Sequence, residues 1–111
     1  MVPDFYTMLV ELLYLPGCPH VELARKALKQ ALSKLEDVPD ISELDVTDEH
    51  TPPHLRSWGS PTILIDGVDV AGASPSGSSC RLYPGSDHPG APSLALIEAA
   101  LRRSSPKGPL P

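Results

Sequence analysis

The sequence predicts a small α/β domain, because three features follow one another in its first half. An apolar run of strand length, residues 8–15, stops at the turn-forming pair Pro16-Gly17. A helix is predicted over residues 19–35, since apolar side chains recur there every three or four positions. A second, more exposed strand is predicted over residues 41–46. A strand, a helix and a strand in succession favour a parallel pair joined by a right-handed crossover.

The second half is predicted to complete the order β-α-β-α-β-β-α. Thr51 stands before two prolines, a pattern typical of a helix N-terminus, and Asp66-Gly67 is a strong signal for a two-residue hairpin turn. The predicted elements are a short helix over residues 51–57, a strand over residues 61–65, a returning strand over residues 68–71 and a last helix over residues 92–103.

A long connection, residues 72–91, consists mostly of Gly, Ser, Pro and Ala and carries Cys80. Connections of this length without regular structure are usually functional or disordered. We expect the apolar pair Leu82-Tyr83 to hold it to the domain. Residues 1–103 are thus predicted to form one domain, and the proline-rich residues 104–111 a disordered tail.

Composition excludes several kinds of partner. The 111 residues carry a formal net charge of −5, and no cluster of basic residues exceeds Arg102-Arg103, which argues against a nucleic acid or a membrane surface as the partner. The apolar runs are too short to span a bilayer, and the first residues lack the basic region of a signal peptide. We therefore expect a cytoplasmic protein, and no cofactor is predicted.

The candidate nucleophile is Cys18, which follows the Pro16-Gly17 turn and precedes Pro19, a suitable first residue of a helix. A thiol at a helix N-terminus ionises more readily than a free thiol, and the thiolate is the reactive form. His20 is expected either to promote that ionisation when it is protonated, to join Cys18 as a metal ligand, or to be a solvated helix residue.

Two motifs carry a resemblance to the thioredoxin superfamily over roughly residues 8–103. They are Gly17-Cys18-Pro19, similar to the start of the family's active-site turn, and Gly59-Ser60-Pro61-Thr62, similar to its cis-proline loop. The resemblance implies a four-stranded mixed sheet with helices on both faces, and a cis Pro61 that lies against Cys18. Pro61, Ser60, Pro19 and His20 would then line the substrate groove. The alternative is a trans Pro61 that opens an edge strand.

The sequence departs from the dithiol members of the superfamily at Val21, which stands where a Cys-x-x-Cys motif has its second cysteine. Single-cysteine glutaredoxins tolerate this change, but residues 71–74 match their glutathione-binding segment poorly. The whole pattern, including residues 79–83, is most similar to a small family of bacterial thioredoxin-like proteins. Some members of that family carry an alkylmercury-lyase label.

Cys80 is the second candidate catalytic residue. In the fold that the resemblance implies, its loop starts at the end of the sheet where Cys18 lies. A flexible span of about nine residues reaches on the order of 16 Å by the random-coil estimate, so Cys80 is able to approach Cys18 in a disulfide or a shared metal site. The alternative is that Cys80 anchors the loop as a small buried hydrophobic residue.

Three functions are compatible with these residues. The first is a thiol-redox protein whose partner is a protein or a small-molecule thiol or disulfide. The second is a binding site for a soft metal ion such as mercury, held by two thiolates. The third is a non-catalytic module that binds peptides beside Pro61. Asp66 and Asp69 are interpreted as turn residues, and Trp58 as a core residue or part of the site.

Overall fold

The fold is that of a computed structural model, which describes residues 8–75, residue 77 and residues 80–104. Its elements are, in chain order, β1 (Val10–Tyr14), α1 (Val21–Leu32), β2 (Ile41–Asp45), a 3₁₀ helix (Pro53–Leu55), β3 (Thr62–Ile65), β4 (Val68–Asp69) and α2 (Leu94–Ser104). Every predicted strand and both long helices occur within three residues of their predicted ends. Residues 105–111 of the predicted tail lie outside the described residues, and Ser104 ends α2.

The strands form the predicted four-stranded mixed sheet, in the order β2-β1-β3-β4. β1 and β2 are parallel, whereas β3 is antiparallel to both β1 and β4. The hairpin between β3 and β4 turns at Asp66 and Gly67, whose φ angles are 53° and 84°. Positive φ at both central residues defines the type I′ turn that Asp-Gly favours, and the predicted hairpin is confirmed.

Both α-helices pack on the same face of the sheet and contact each other. Val10 and Leu12 of β1 and Ile63 and Ile65 of β3 form the sheet side of this core. The buried side chains of α1 follow the spacing seen in the sequence: Val21, Ala24, Leu28, Ala31 and Leu32. No helix in the part of the chain that the structure describes is long and apolar enough to cross a membrane.

The other face of the sheet carries no α-helix, so the prediction of helices on both faces is wrong. Where a helix was predicted over residues 51–57, only the 3₁₀ helix forms. Pro52 has ψ of 139°, because a residue that precedes a proline is driven out of the helical region. Too few residues then remain before the Trp58-Gly59 turn for an α-helix. A second apolar cluster covers this face: Leu13, Val46, Leu55, Trp58 and Leu64.

The core of the helical face is tested by Leu28→Ala. Leu28 is 0% exposed, and its truncation leaves a cavity between α1 and the sheet. We expect the free energy of unfolding, measured with urea, to fall by about 2–5 kcal/mol. Leu82→Ala is the matched control, because that side chain is 76% exposed and its loss should change stability by less than about 0.5 kcal/mol. Similar losses in the two variants would contradict this packing.

Candidate functional site

Cys18 lies in a tight turn between β1 and α1. Its N–H donates to the carbonyl of Leu15 at 3.1 Å, and its own carbonyl accepts from the N–H of Val21 at 3.5 Å. The helix therefore begins two residues later than predicted, with His20 rather than Cys18 as its N-cap, and Pro19 is exposed in the turn. The Cys18 side chain is half-buried and packs against the helical-face core.

The loop before β3 lies at the same end of the sheet. The Ser60–Pro61 peptide bond is cis, which confirms what the family resemblance implies. β3 pairs with β1 so that Thr62 is opposite Leu13. Continued by two residues, this antiparallel register places Pro61 and Ser60 beside the chain that leaves β1 toward Cys18.

Cys80 is held at this loop by backbone pairing. It forms an isolated parallel bridge with Ser60, and the N–H of Arg81 donates to the Ser60 carbonyl at 2.9 Å. The Cys80 side chain is exposed, so the expectation of a buried anchoring residue is wrong. Both thiols are free, and the fold brings Cys18 and Cys80 to the same end of the sheet. Residues 80–83 are called the bridging segment below.

A buried ion pair fastens the bridging segment. The Arg81 guanidinium donates to both carboxylate oxygens of Asp69, at 2.8 and 3.1 Å, and to the hydroxyl of Thr62 at 3.0 Å. The Asp69 side chain is 0% exposed and also accepts the N–H groups of Ala71 and Ala73. Asp69 is thus the counter-ion of Arg81 as well as a turn residue, and the interpretation from sequence captured only the second role.

Aromatic side chains complete the attachment. The Arg81 guanidinium carbon lies 4.5 Å from the ring centroid of Tyr83 and 6.0 Å from that of Trp58, within the range of cation–π attraction. The Tyr83 hydroxyl donates to the carbonyl of Pro61. Burial raises the pKa of Tyr83 well above its usual range, so the hydroxyl remains a donor. In the predicted pair Leu82-Tyr83, only Tyr83 holds the loop, since Leu82 is exposed.

His20 lies beneath the second half of the long connection. A Cβ atom added at Gly90 would overlap its imidazole ring, so glycine is required for this close approach. The loop above the ring is closed by a hydrogen bond of 2.6 Å from the N–H of Tyr83 to the carbonyl of Pro89. His20 is therefore half-buried against its own chain, and the expectation of a solvated residue is wrong.

Sequence reasoning missed the ion pair of Asp69 with Arg81 and the contact of Gly90 with His20. A signal for the first was present, because Asp69 stands between two valines in a predicted strand, where a carboxylate that faces the core needs a partner. Nothing local marks Gly90. Among the described residues no group of three or more His, Cys, Asp or Glu is placed to hold a metal ion, and a two-thiolate site for a soft metal stays a prediction.

The ion pair is tested by Arg81→Gln. This variant leaves the fully buried Asp69 carboxylate without its cation, and we expect the free energy of unfolding in urea to fall by about 3–5 kcal/mol. Arg25→Gln is the matched control: Arg25 also donates to both oxygens of a carboxylate, that of Glu43, but the two side chains are 26% and 31% exposed. That loss should stay below about 1 kcal/mol, and equal losses would refute the special weight given to Asp69.

The contact over His20 is tested by a double-mutant cycle. Gly90→Ala should destabilise the fold by about 1–3 kcal/mol, because the added methyl group has no space beside the imidazole ring. In the background of His20→Ala the same change should cost much less, since the clashing ring is gone. Thermal or urea unfolding measures all four proteins. Additive effects of the two substitutions would show that the loop does not rest on His20.

Comparisons with protein-family models, with curated proteins and with solved structures find no match for this chain. The resemblance to the thioredoxin superfamily is therefore carried by its own motifs, residues 17–19 and 59–62, and by the element order. What the site is able to do follows from the geometry at the end of the sheet where the two thiols lie.

Proposed function

We propose that the chain is a thioredoxin-like thiol–disulfide exchange protein, with Cys18 as the nucleophile and Cys80 as the resolving thiol. One observation carries the proposal: backbone pairing holds Cys80 beside Ser60, at the end of the sheet where the turn of Cys18 also lies. The sheet order and the cis bond before Pro61 support the thioredoxin-like assignment.

The different exposure of the two thiols suits two successive steps. The thiolate of Cys18 attacks one sulfur of a substrate disulfide, forms a mixed disulfide and releases the other half as a thiolate. The thiolate of Cys80 then attacks the sulfur of Cys18, closes the intramolecular disulfide and releases the second half. The substrate gains two electrons, and the two cysteines lose them. Val21 has no thiol to offer in the second step, so the resolving group comes from the distant loop.

The test is oxidation of the reduced protein with bis(2-hydroxyethyl) disulfide, followed by mass spectrometry. We expect the wild-type chain to lose two hydrogens and to yield a peptide pair linked through Cys18 and Cys80. Cys80→Ser should instead accumulate the mixed disulfide on Cys18, because the second step is blocked. Cys18→Ser should form no intramolecular disulfide and should release thiol only at the rate of an exposed cysteine.

Two outcomes would sink the proposal. One is a Cys18→Ser variant that consumes the disulfide as fast as the wild type. The other is a wild-type protein that gains adducts on both cysteines separately and never closes the link between them.

A further inference from the structure

We propose that the site acts on low-molecular-weight disulfides and excludes extended polypeptides, because the chain itself occupies the backbone acceptors around Pro61. This inference rests on the exchange function proposed above and specifies its substrate class. It also argues against a module that binds peptides beside Pro61.

The backbone of the cis-proline loop is already used by the chain. A peptide that docks as an added strand gains its affinity from main-chain hydrogen bonds. Pro61 has no N–H to offer, and four carbonyl groups of the loop each accept a hydrogen bond from within the chain. They are Ser57 from the N–H of Gly77 at 2.8 Å, Gly59 from the hydroxyl of Thr62 at 2.7 Å, Ser60 from the N–H of Arg81 at 2.9 Å, and Pro61 from the hydroxyl of Tyr83.

The bridging segment is not easily displaced by an incoming peptide. Its removal from Ser60 and Pro61 would withdraw the Arg81 guanidinium from Asp69, whose side chain is 0% exposed. A buried carboxylate left without its cation is strongly unfavourable, and no peptide backbone supplies a replacement charge. The segment therefore fills the position beside the loop in the resting protein.

A small disulfide needs no backbone partner and meets the two thiols directly. Cys80 is exposed and Cys18 is half-buried, so sulfur reagents of a few atoms reach both. The exchange is balanced within the molecule: two thiols of the chain become one disulfide, and one small disulfide becomes two small thiols. No further oxidant or reductant enters the reaction.

The test compares two probes with the same thionitrobenzoate leaving group. One carries it on N-acetylcysteine amide, and the other on the central cysteine of a short unstructured peptide. The rate of thionitrobenzoate release by the reduced wild-type protein, divided by the rate with free N-acetylcysteine, is measured for each. We expect this normalised rate to be about tenfold higher for the small probe, the factor expected when a peptide finds its main-chain partners occupied.

Two variants test the role of the segment. Arg81→Lys replaces the planar fork by a single ammonium group, loosens the segment and should bring the two normalised rates closer together. Arg25→Lys, which alters the similar fork on Glu43 between α1 and β2, should keep the wild-type ratio. If Arg81→Lys does not fold, Tyr83→Phe removes only the hydroxyl donor to Pro61 and should shift the ratio in the same direction.

The outcomes separate the two levels of the proposal. Equal normalised rates for both probes in the wild type would overturn the exclusion of polypeptides and leave the exchange function standing. An unchanged ratio in both Arg81→Lys and Tyr83→Phe would likewise overturn the role of the bridging segment. Rates no higher than those of free N-acetylcysteine for both probes would overturn the exchange function itself.

Discussion

A buried carboxylate needs a cation and hydrogen-bond donors close by, and in this protein the Asp69 side chain imposes that need on the second half of the chain. Arg81 supplies the cation and two donors, and the N–H groups of Ala71 and Ala73 supply the rest. The guanidinium also reaches Thr62 at the start of β3. One interaction therefore joins the end of β4, the start of β3 and the bridging segment.

The position of Cys80 is a consequence of that interaction. Because Arg81 is fixed on its side-chain atoms, its N–H is held at the Ser60 carbonyl, and the preceding residue is presented to solvent beside the cis-proline loop. Tyr83, two residues on, returns a hydroxyl to Pro61 and begins the loop that covers His20. Cys18, at the other side of this end of the sheet, is placed by β1 and α1 without help from the ion pair. The two thiols thus depend on separate parts of the fold.

The sequence predicted what is decided locally. The spacing of apolar residues located α1, and Asp66-Gly67 located the hairpin, because in both cases neighbours in the chain determine the structure. The predicted helix over residues 51–57 failed for a local reason that was also legible, the effect of Pro53 on the residue before it. Asp69 and Arg81 were not paired in advance, because the partners are separated along the chain and only the fold brings them together. The burial of His20 depended in the same way on Gly90, far along the sequence.

The ion pair also clamps the two ends of a loop to each other. Residues 71–75 between them are exposed, and their side chains contribute nothing to the core. Closing a longer loop between fixed ends costs only about 0.6 kcal/mol for each doubling of its length. The chain between Ala73 and Gly77 is consequently a place where residues, or a whole inserted peptide, are tolerated without moving Cys80. Length variation at this one position would be nearly neutral for the fold, while the spacing from Arg81 to Tyr83 would not be free to change.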